Sequence, residues 1–353
     1  MKNYIELLAV SCQIAPSADN SQPCHYTWNG QKFTLRYDTD RVESYTFPAD
    51  NPATLLSAGS VIENLMQLAE ALDLYPNLVY WPAGETQKDV YADVCIDGLD
   101  KQISAHPDHP IFHRHTNRFG YSKKLIPSDL LNSLTSMSEN TAQLSVFDKQ
   151  PSINSIWQLI KSASEIRFQT QEVHEWLGKS LRFTQENTLR GDGLDVKTLD
   201  LPPGGGLFLQ LISSWPRMKR LNHLYIYKIL ASIDAKPIKV APAIVAITAP
   251  DNAQGAIEAG RLLNRCWTHL NDNGIAVHPY YVVADQLIRL KEQAIPTDLI
   301  DQAQDIKQHS RDVFSLSDGK ALYMLLRIGY PKKQPPHSKR LPLEKVFTDL
   351  TKK

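Results

Sequence analysis

Ala15-Pro16-Ser17-Ala18-Asp19-Asn20-Ser21-Gln22-Pro23 and, far downstream, Arg114-His115-Thr116-Asn117-Arg118 are the two stretches on which the reading of this chain turns. The first sets short polar side chains on turn-forming residues, so donors and acceptors lie at close spacing. The second carries two rigid guanidinium forks with a hydroxyl between them, a set suited to a phosphate.

Working outward, Leu7 to Ile14 reads as a helix entering the first stretch. Tyr26 to Trp28 and Phe33 to Tyr37 alternate across Asn29-Gly30, a hairpin signal. Apolar residues at helical spacing mark Leu55 to Leu74, and strands are expected at Asn77 to Tyr80 and Val90 to Ile96. Pro107 and Pro110 punctuate a loop, after which a second lobe repeats the plan. It holds a short helix at Pro127 to Leu134, a strand at Gln143 to Phe147 and a long helical stretch from Ile153 to Phe183. Arg190-Gly191-Asp192-Gly193 breaks that stretch. Pro202 to Gly206 is a side-chain-poor loop able to approach a ligand or serve as a lid. A buried strand at Pro242 to Thr248, a helix from Ile257 to Asn273 ended by Gly274, and a strand at Ala321 to Gly329 follow. Ala58-Gly59 and Ala259-Gly260 hold equivalent places in the two long helices, which implies close helix packing in each copy.

The chain has 353 residues, 42% apolar and 22% charged, with 38 basic and 38 acidic side chains. That balance favours neither nucleic acid nor an anionic membrane as partner. No apolar run approaches the length of a membrane span, and the N-terminus lacks a secretory pattern, so a cytoplasmic protein is expected. Cys12, Cys24, Cys95 and Cys266 are scattered without a CxxC and read as free thiols. His106, His109, His113 and His115 crowd together, but no flanking cysteine or helical His-x-x-x-His supports a metal site. Pro202 to Gly206 lacks the Lys-Ser/Thr of a phosphate loop, and no Gly-x-Ser-x-Gly elbow supports a serine hydrolase.

The two opening stretches resemble those of the FMN-binding nitroreductase superfamily. Its ordinary homodimeric members carry the basic run first and the Asn-Ser-Gln-Pro loop after it; here the order is reversed. Each lobe therefore keeps the half of a flavin site that the other lacks. This is similar to the single-chain tandem, Acg-like members: a fused, asymmetric pseudo-dimer with one flavin site. The resemblance implies an α+β fold with central antiparallel or mixed sheets flanked by helices. The first lobe would span residues 1–110 and the second 111–353, with an inserted helical or lid segment at about 151–235.

On that resemblance Pro16, Ser17, Asn20, Ser21 and Gln22 are expected to contact the flavin ring and ribityl chain. Arg114 is expected on the phosphate with His115 and Thr116 beside it, and Arg118 on the phosphate or the ring carbonyl edge. Ser338-Lys339-Arg340-Leu341-Pro342 resembles a Lys/Arg-x-Arg-Leu-Pro element that closes over the same phosphate. Ser338 stands where relatives have a basic residue, and Lys339 is placed to compensate. Pro279, followed by Tyr280-Tyr281, holds the place of the relatives' Pro-x-Glu-Gly loop but lacks its Glu-Gly. The tyrosines either pack on the ring or belong to the core. Cys24 stands where relatives usually carry Trp.

The implied activity is an FMN-dependent oxidoreductase that takes hydride from NAD(P)H and passes it to a small-molecule electron acceptor. Two alternatives stay open: non-enzymatic storage or sequestration of FMN, and an accessory flavin oxidase in peptide or cofactor modification. A monomer or a weak homodimer is expected.

Overall fold

The computed structural model describes residues 4–42, 47–82, 84, 87–99 and 108–352. Helix α1 (Tyr4–Gln13) enters the Pro16–Pro23 loop, which leads to the hairpin β1 (Cys24–Trp28) and β2 (Lys32–Tyr37). Gly30 turns the hairpin at φ 99°, and Asn29 Oδ1 accepts from the Gln31 and Lys32 amides. Helix α2 (Pro52–Ala71) begins where Asn51 accepts from the Ala53 amide with proline in the first turn. Strands β3 (Tyr75–Tyr80) and β4 (Val90–Asp97) follow.

After the basic run come α3 (Ser128–Thr135), β5 (Ser138–Glu139) and β6 (Ala142–Phe147). A largely helical segment is then inserted. It comprises α4 (Gln150–Arg167), α5 (Gln171–Ser180), β7 (Leu181–Arg182), α6 (Gln185–Leu189), β8 (Leu194–Asp195), α7 (Gly205–Ile212), α8 (Trp215–Asn222) and α9 (Ile226–Lys239). The chain resumes with β9 (Ala243–Pro250), α10 (Ala253–Asp272), β10 (Ala276–Tyr280), α11 (Val282–Lys291), α12 (Ile300–Phe314) and β11 (Lys320–Gly329). It ends in α13 (Leu343–Val346) and β12 (Phe347–Asp349).

The fold is α+β. Two five-stranded sheets run β12-β1-β2-β4-β3 and β5-β6-β9-β11-β10. The first is mixed, because β12 pairs parallel with β1, and the second is antiparallel. Read from the β3 and β10 edges, both sheets share one connectivity: strand, strand, long helix, strand, strand, with the last two exchanged in space. The largely helical segment lies between β6 and β9. The tail crosses back, so β12 completes the sheet to which residues 24–97 belong.

The long helices α2 and α10 pack on each other between the sheets. A Cβ on Gly59 would lie 2.0 Å from the Ile257 carbonyl oxygen, and one on Gly260 would lie 2.2 Å from that of Leu56. The glycine pair thus serves the contact between α2 and α10, where only hydrogen fits. Ser60 Oγ donates to the Gly260 carbonyl at 3.1 Å, and Asn264 Nδ2 donates to Asn64 Oδ1 at 2.6 Å. Arg261 and Arg265 both pair with Glu63 and Glu139 beside this contact. One apolar core runs through α1, α2, α10 and the inner sheet faces; a second lies between the outer face of β9 and β11 and helices α4, α9, α11 and α12.

Two expectations change. The long stretch from Ile153 divides into α4 and α5, because Thr170 adopts an extended backbone (φ −95°, ψ 114°) and its hydroxyl donates to the Ile166 carbonyl at 3.0 Å. Pro202–Gly206 is not a loop throughout: Gly204, at φ 79°, leads into α7, whose first residues are Gly205 and Gly206. A Cβ on Gly205 would lie 3.1 Å from Leu201 and Pro202, while one on Gly204 or Gly206 would meet nothing within 4 Å. Among the described residues no helix is long and apolar enough to cross a membrane.

Candidate functional site

The Pro16–Pro23 loop is held in an unusual shape. Asp19, Asn20 and Gln22 have φ of 47°, 58° and 50°, a region costly for side chains other than glycine, least so for Asn and Asp. Bonds from three remote segments hold it there. Asn20 Nδ2 donates to the carbonyls of Gly191, Gly193 and Lys339 at 3.3, 3.2 and 3.0 Å, and its Oδ1 accepts from Arg340 at 2.7 Å. Gln22 Nε2 donates to the Gly191 carbonyl at 3.0 Å, while its Oε1 accepts from the Leu341 amide at 3.1 Å. Ser17 Oγ accepts from the Gln22 amide at 2.9 Å, closing the loop on itself. Arg41, paired with Asp38, donates to the Ser21 and Gln22 carbonyls. The amides of Asn20 and Gln22 therefore fasten the insertion and the tail to the loop. Pro16 lines a cavity of about 20 Å³ under the loop with Ser17, Gln22, Cys24, Tyr26 and Ser57. That is room for one water and not for an aromatic ring system.

The basic run and the tail meet at the end of α1. Arg114 Nη2 and Arg340 Nη2 both donate to the Ile14 carbonyl, at 2.9 and 3.1 Å. Arg114 is buried, with its guanidinium 4.8 Å from the Trp267 ring centroid. Among the described residues no carboxylate pairs with either arginine, and the Nε of each is buried without a hydrogen-bond partner. Burial, reinforced by the Arg340 charge, pushes Arg114 down to about 9; burial pushes Arg340 down to about 10. The C-terminal dipole of α1 favours cations here, but it is worth about half a charge against two. This is a convergent set of donors with net positive charge and, among the described residues, no paired carboxylate, which suits an anion of charge near −2 such as a phosphate monoester.

His115 flanks the pair, its ring stacked on His337 at 4.8 Å. Its amide donates to Asn271 Oδ1 at 2.8 Å, and its carbonyl accepts from Trp267 Nε1 at 3.0 Å. Helix α10 therefore fixes the basic run. Thr116 and Ser338 are half-buried beside these residues in sequence. Arg118 faces Asp19 from a neighbouring position: burial lowers its pKa and the Asp19 charge opposes that shift. Burial raises the Asp19 carboxyl, and Arg118 and the Trp176 indole, donating to Oδ2 at 3.1 Å, oppose it.

Pro279 sits inside edge strand β10 opposite Leu326, where a missing amide is tolerated. Its neighbour His278 is held far below its usual range by burial and by Arg327 and Arg118. Tyr280 is buried and its hydroxyl donates to the Asp234 carbonyl at 3.3 Å; Tyr281 packs on the main core. Burial pushes the Cys24 thiol up to about 12, which leaves it unreactive. His106 lies outside the described residues, and among those described no group of three His, Cys, Asp or Glu is placed to hold a metal ion.

The structure therefore gathers Asn20, Gln22, Arg114, His115 and Arg340 at one place, with Arg118 near Asp19. The sequence reading missed Ile14, His337, Asp19 with Trp176, and the part played by Gly191 and Gly193. The first two adjoin motif residues and could have been flagged by position; the Trp176 contact has no local signal.

No protein-family model matches the chain, and no curated protein matches it. Solved structures similar to it include an FMN-bound nitroreductase from Bacteroides fragilis, 11% identical over 66% of this chain and 92% of that one, with a TM-score of 0.36. An iodotyrosine deiodinase bound to FMN and 3-iodo-L-tyrosine is 12% identical over 66% and 94%, with a TM-score of 0.36. An FMN-dependent nitroreductase from Clostridium difficile is 11% identical over 66% and 94%, with a TM-score of 0.35. At such identity and score the likeness assigns this chain neither to a family nor to an activity.

Proposed function

We propose that this chain binds one FMN at the junction of two related lobes and is an FMN-dependent oxidoreductase of the nitroreductase type. One observation carries the reading: buried Arg114 and half-buried Arg340 converge on the Ile14 carbonyl, beside Asn20, with no carboxylate paired to either among the described residues. The shared sheet connectivity and the α2–α10 glycine pair support a fused pseudo-dimer, with loop and basic run drawn from different copies.

In this reading Arg114 and Arg340 hold the phosphate, and His115 and His337 border it. The Pro16–Pro23 loop sets the position of Arg340 through Asn20 Oδ1. FMN, when bound, supplies two-electron hydride chemistry between an NAD(P)H donor and a small-molecule acceptor. The chain's residues bind, orient and shield.

A second reading, storage or sequestration of FMN without turnover, is favoured by the Arg190–Gly193 turn. Its carbonyls sit on Asn20 and Gln22, and that seat covers the loop which relatives present to the ring. Titration of the purified protein with FMN, followed by quenching of flavin fluorescence, tests both readings. Saturable binding at one equivalent, weakened by Arg114→Ala, is expected. No binding would overturn both.

A further inference from the structure

The whole-chain charge is zero, yet residues 201–240 hold six basic side chains (Arg217, Lys219, Arg220, Lys228, Lys236, Lys239) and one acid, Asp234. Asp234 is turned to the protein, pairing with Arg167 at 3.0 Å and accepting from Ser164 at 2.6 Å. None of the six basic residues is ion-paired among the described residues.

The same segment carries nine of the fifteen large apolar side chains left exposed among the described residues. On α7 they are Leu207, Phe208 and Leu211, at helical spacing; on α9 they are Ile229 and Ile233, 55% and 60% exposed. Leu224 and Tyr225 precede α9 and are 70% and 62% exposed. Lys228, Ile229, Ser232, Ile233 and Lys236 line one open groove along α9, so lysines flank isoleucines on a single face. Helix α8 packs against both α7 and α9, which joins the three into one surface element. The opposite side of α9 is closed, with Ala231, Ala235 and Ile238 buried against α4.

We infer that the α7–α9 face docks on an anionic lipid surface. An apolar helix face rimmed by lysine lies in the headgroup layer, where isoleucine, leucine and phenylalanine enter the acyl boundary and the ammonium groups meet lipid phosphates. At 8 and 14 residues, α7 and α9 lie on a bilayer and do not span it. A second copy of this chain fits the face poorly. In a two-fold contact the patch meets itself, so Lys228 and Lys236 of the two copies would be brought together with no exposed acid in the segment to answer them.

The test is co-sedimentation of the full chain with vesicles of equal phosphatidylglycerol and phosphatidylcholine, beside pure phosphatidylcholine. Sedimentation velocity without lipid reports the oligomeric state. Binding to the anionic vesicles alone, lost with added salt, is expected. Ile229→Asp/Ile233→Asp and, separately, Lys228→Glu/Lys236→Glu are each expected to weaken it at least ~tenfold. FMN binding should be unchanged in both, because neither pair touches the arginine site. Equal binding to both vesicle types, no binding to either, or a dimer dispersed by the same substitutions would each overturn the inference.

Discussion

Arg114 Nη2 and Arg340 Nη2, one from the basic run and one from the tail, donate to the same acceptor, the Ile14 carbonyl, at 2.9 and 3.1 Å. Like charges at this separation oppose each other, and burial raises the cost because neither has a carboxylate. Such a pair is kept when a ligand anion repays it.

Removal of one member should therefore act in opposite directions on stability and binding. In Arg114→Met the Ile14 carbonyl still accepts from Arg340, and the side chain still covers Trp267. The ligand-free protein is expected to melt at a temperature no lower than the parent's. FMN affinity is expected to fall by about 2–3 kcal/mol, roughly 30- to 150-fold. Thermal melts with and without FMN measure both. A destabilised apoprotein with unchanged affinity would mean that Arg114 is structural only.

The pH dependence has a definite sign. In the ligand-free protein Arg114 sits at about 9 and Arg340 at about 10, and a bound dianion raises both. Affinity for FMN is therefore expected to fall as pH rises through 9–10, where the free arginines lose their protons. Stability of the ligand-free chain changes the other way. Its depressed arginines release protons before those of the unfolded chain, so their penalty is full below about 9 and is relieved above it. At the acid end, affinity should drop below about pH 6 as the phosphate takes up its second proton. Titrations across this range by fluorescence quenching trace the profile.

Stoichiometry tests the pseudo-dimer. Only residues 15–23 supply the loop, and only residues 114–118 with Arg340 supply the basic cluster. One flavin per chain is expected from absorbance after denaturation. Two would mean that the copies bind independently.

The packing of α2 on α10 is tested at Gly59. Its added Cβ would lie 2.0 Å from a helix carbonyl, a backbone atom that moves only with α10. Gly59→Ala is expected to cost about 3 kcal/mol or more, at the upper end of overpacking effects. Gly206→Ala, which meets open space at the start of α7, is the control. Urea unfolding of the two variants gives the comparison.

Periodicity and turn chemistry made much of this legible in advance. The hairpin at Asn29-Gly30, both long helices, and the strands at 143–147 and 321–329 all lie where local pattern places them, because apolar residues at regular spacing, bounded by turn residues, mark each. The α4–α5 break was hidden, since Gln169-Thr170-Gln171 contains no glycine or proline and the turn is made by a threonine hydroxyl. The return of β12 to β1 was hidden too, because three residues carry no usable period. At the site, residue types announced the arginines and the amide-bearing loop. They did not announce that Asn20 and Gln22 spend their amides on Gly191, Gly193, Lys339 and Leu341, a matter of distant chain meeting the loop.

On the proposed reading, that contact gates access to the flavin, and its removal separates turnover from storage. Gly191, at φ 85°, would place a Cβ 2.3 Å from the Arg340 carbonyl oxygen, so the turn seats only with glycine there. Gly191→Val is expected to lift the Arg190–Gly193 turn from Asn20 and Gln22 while leaving both sheets intact. In the parent chain, stopped-flow reduction by NADH and NADPH is expected to be slow beside dithionite, because a stacked donor needs to come within about 3–3.5 Å of the reacting flavin atom. The variant should speed nucleotide reduction by at least ~tenfold and leave dithionite reduction unchanged, as expected of a cover that gates access. Fast nucleotide reduction in the parent would show that the turn is no barrier. Slow reduction in both, with dithionite fast, would favour storage over turnover.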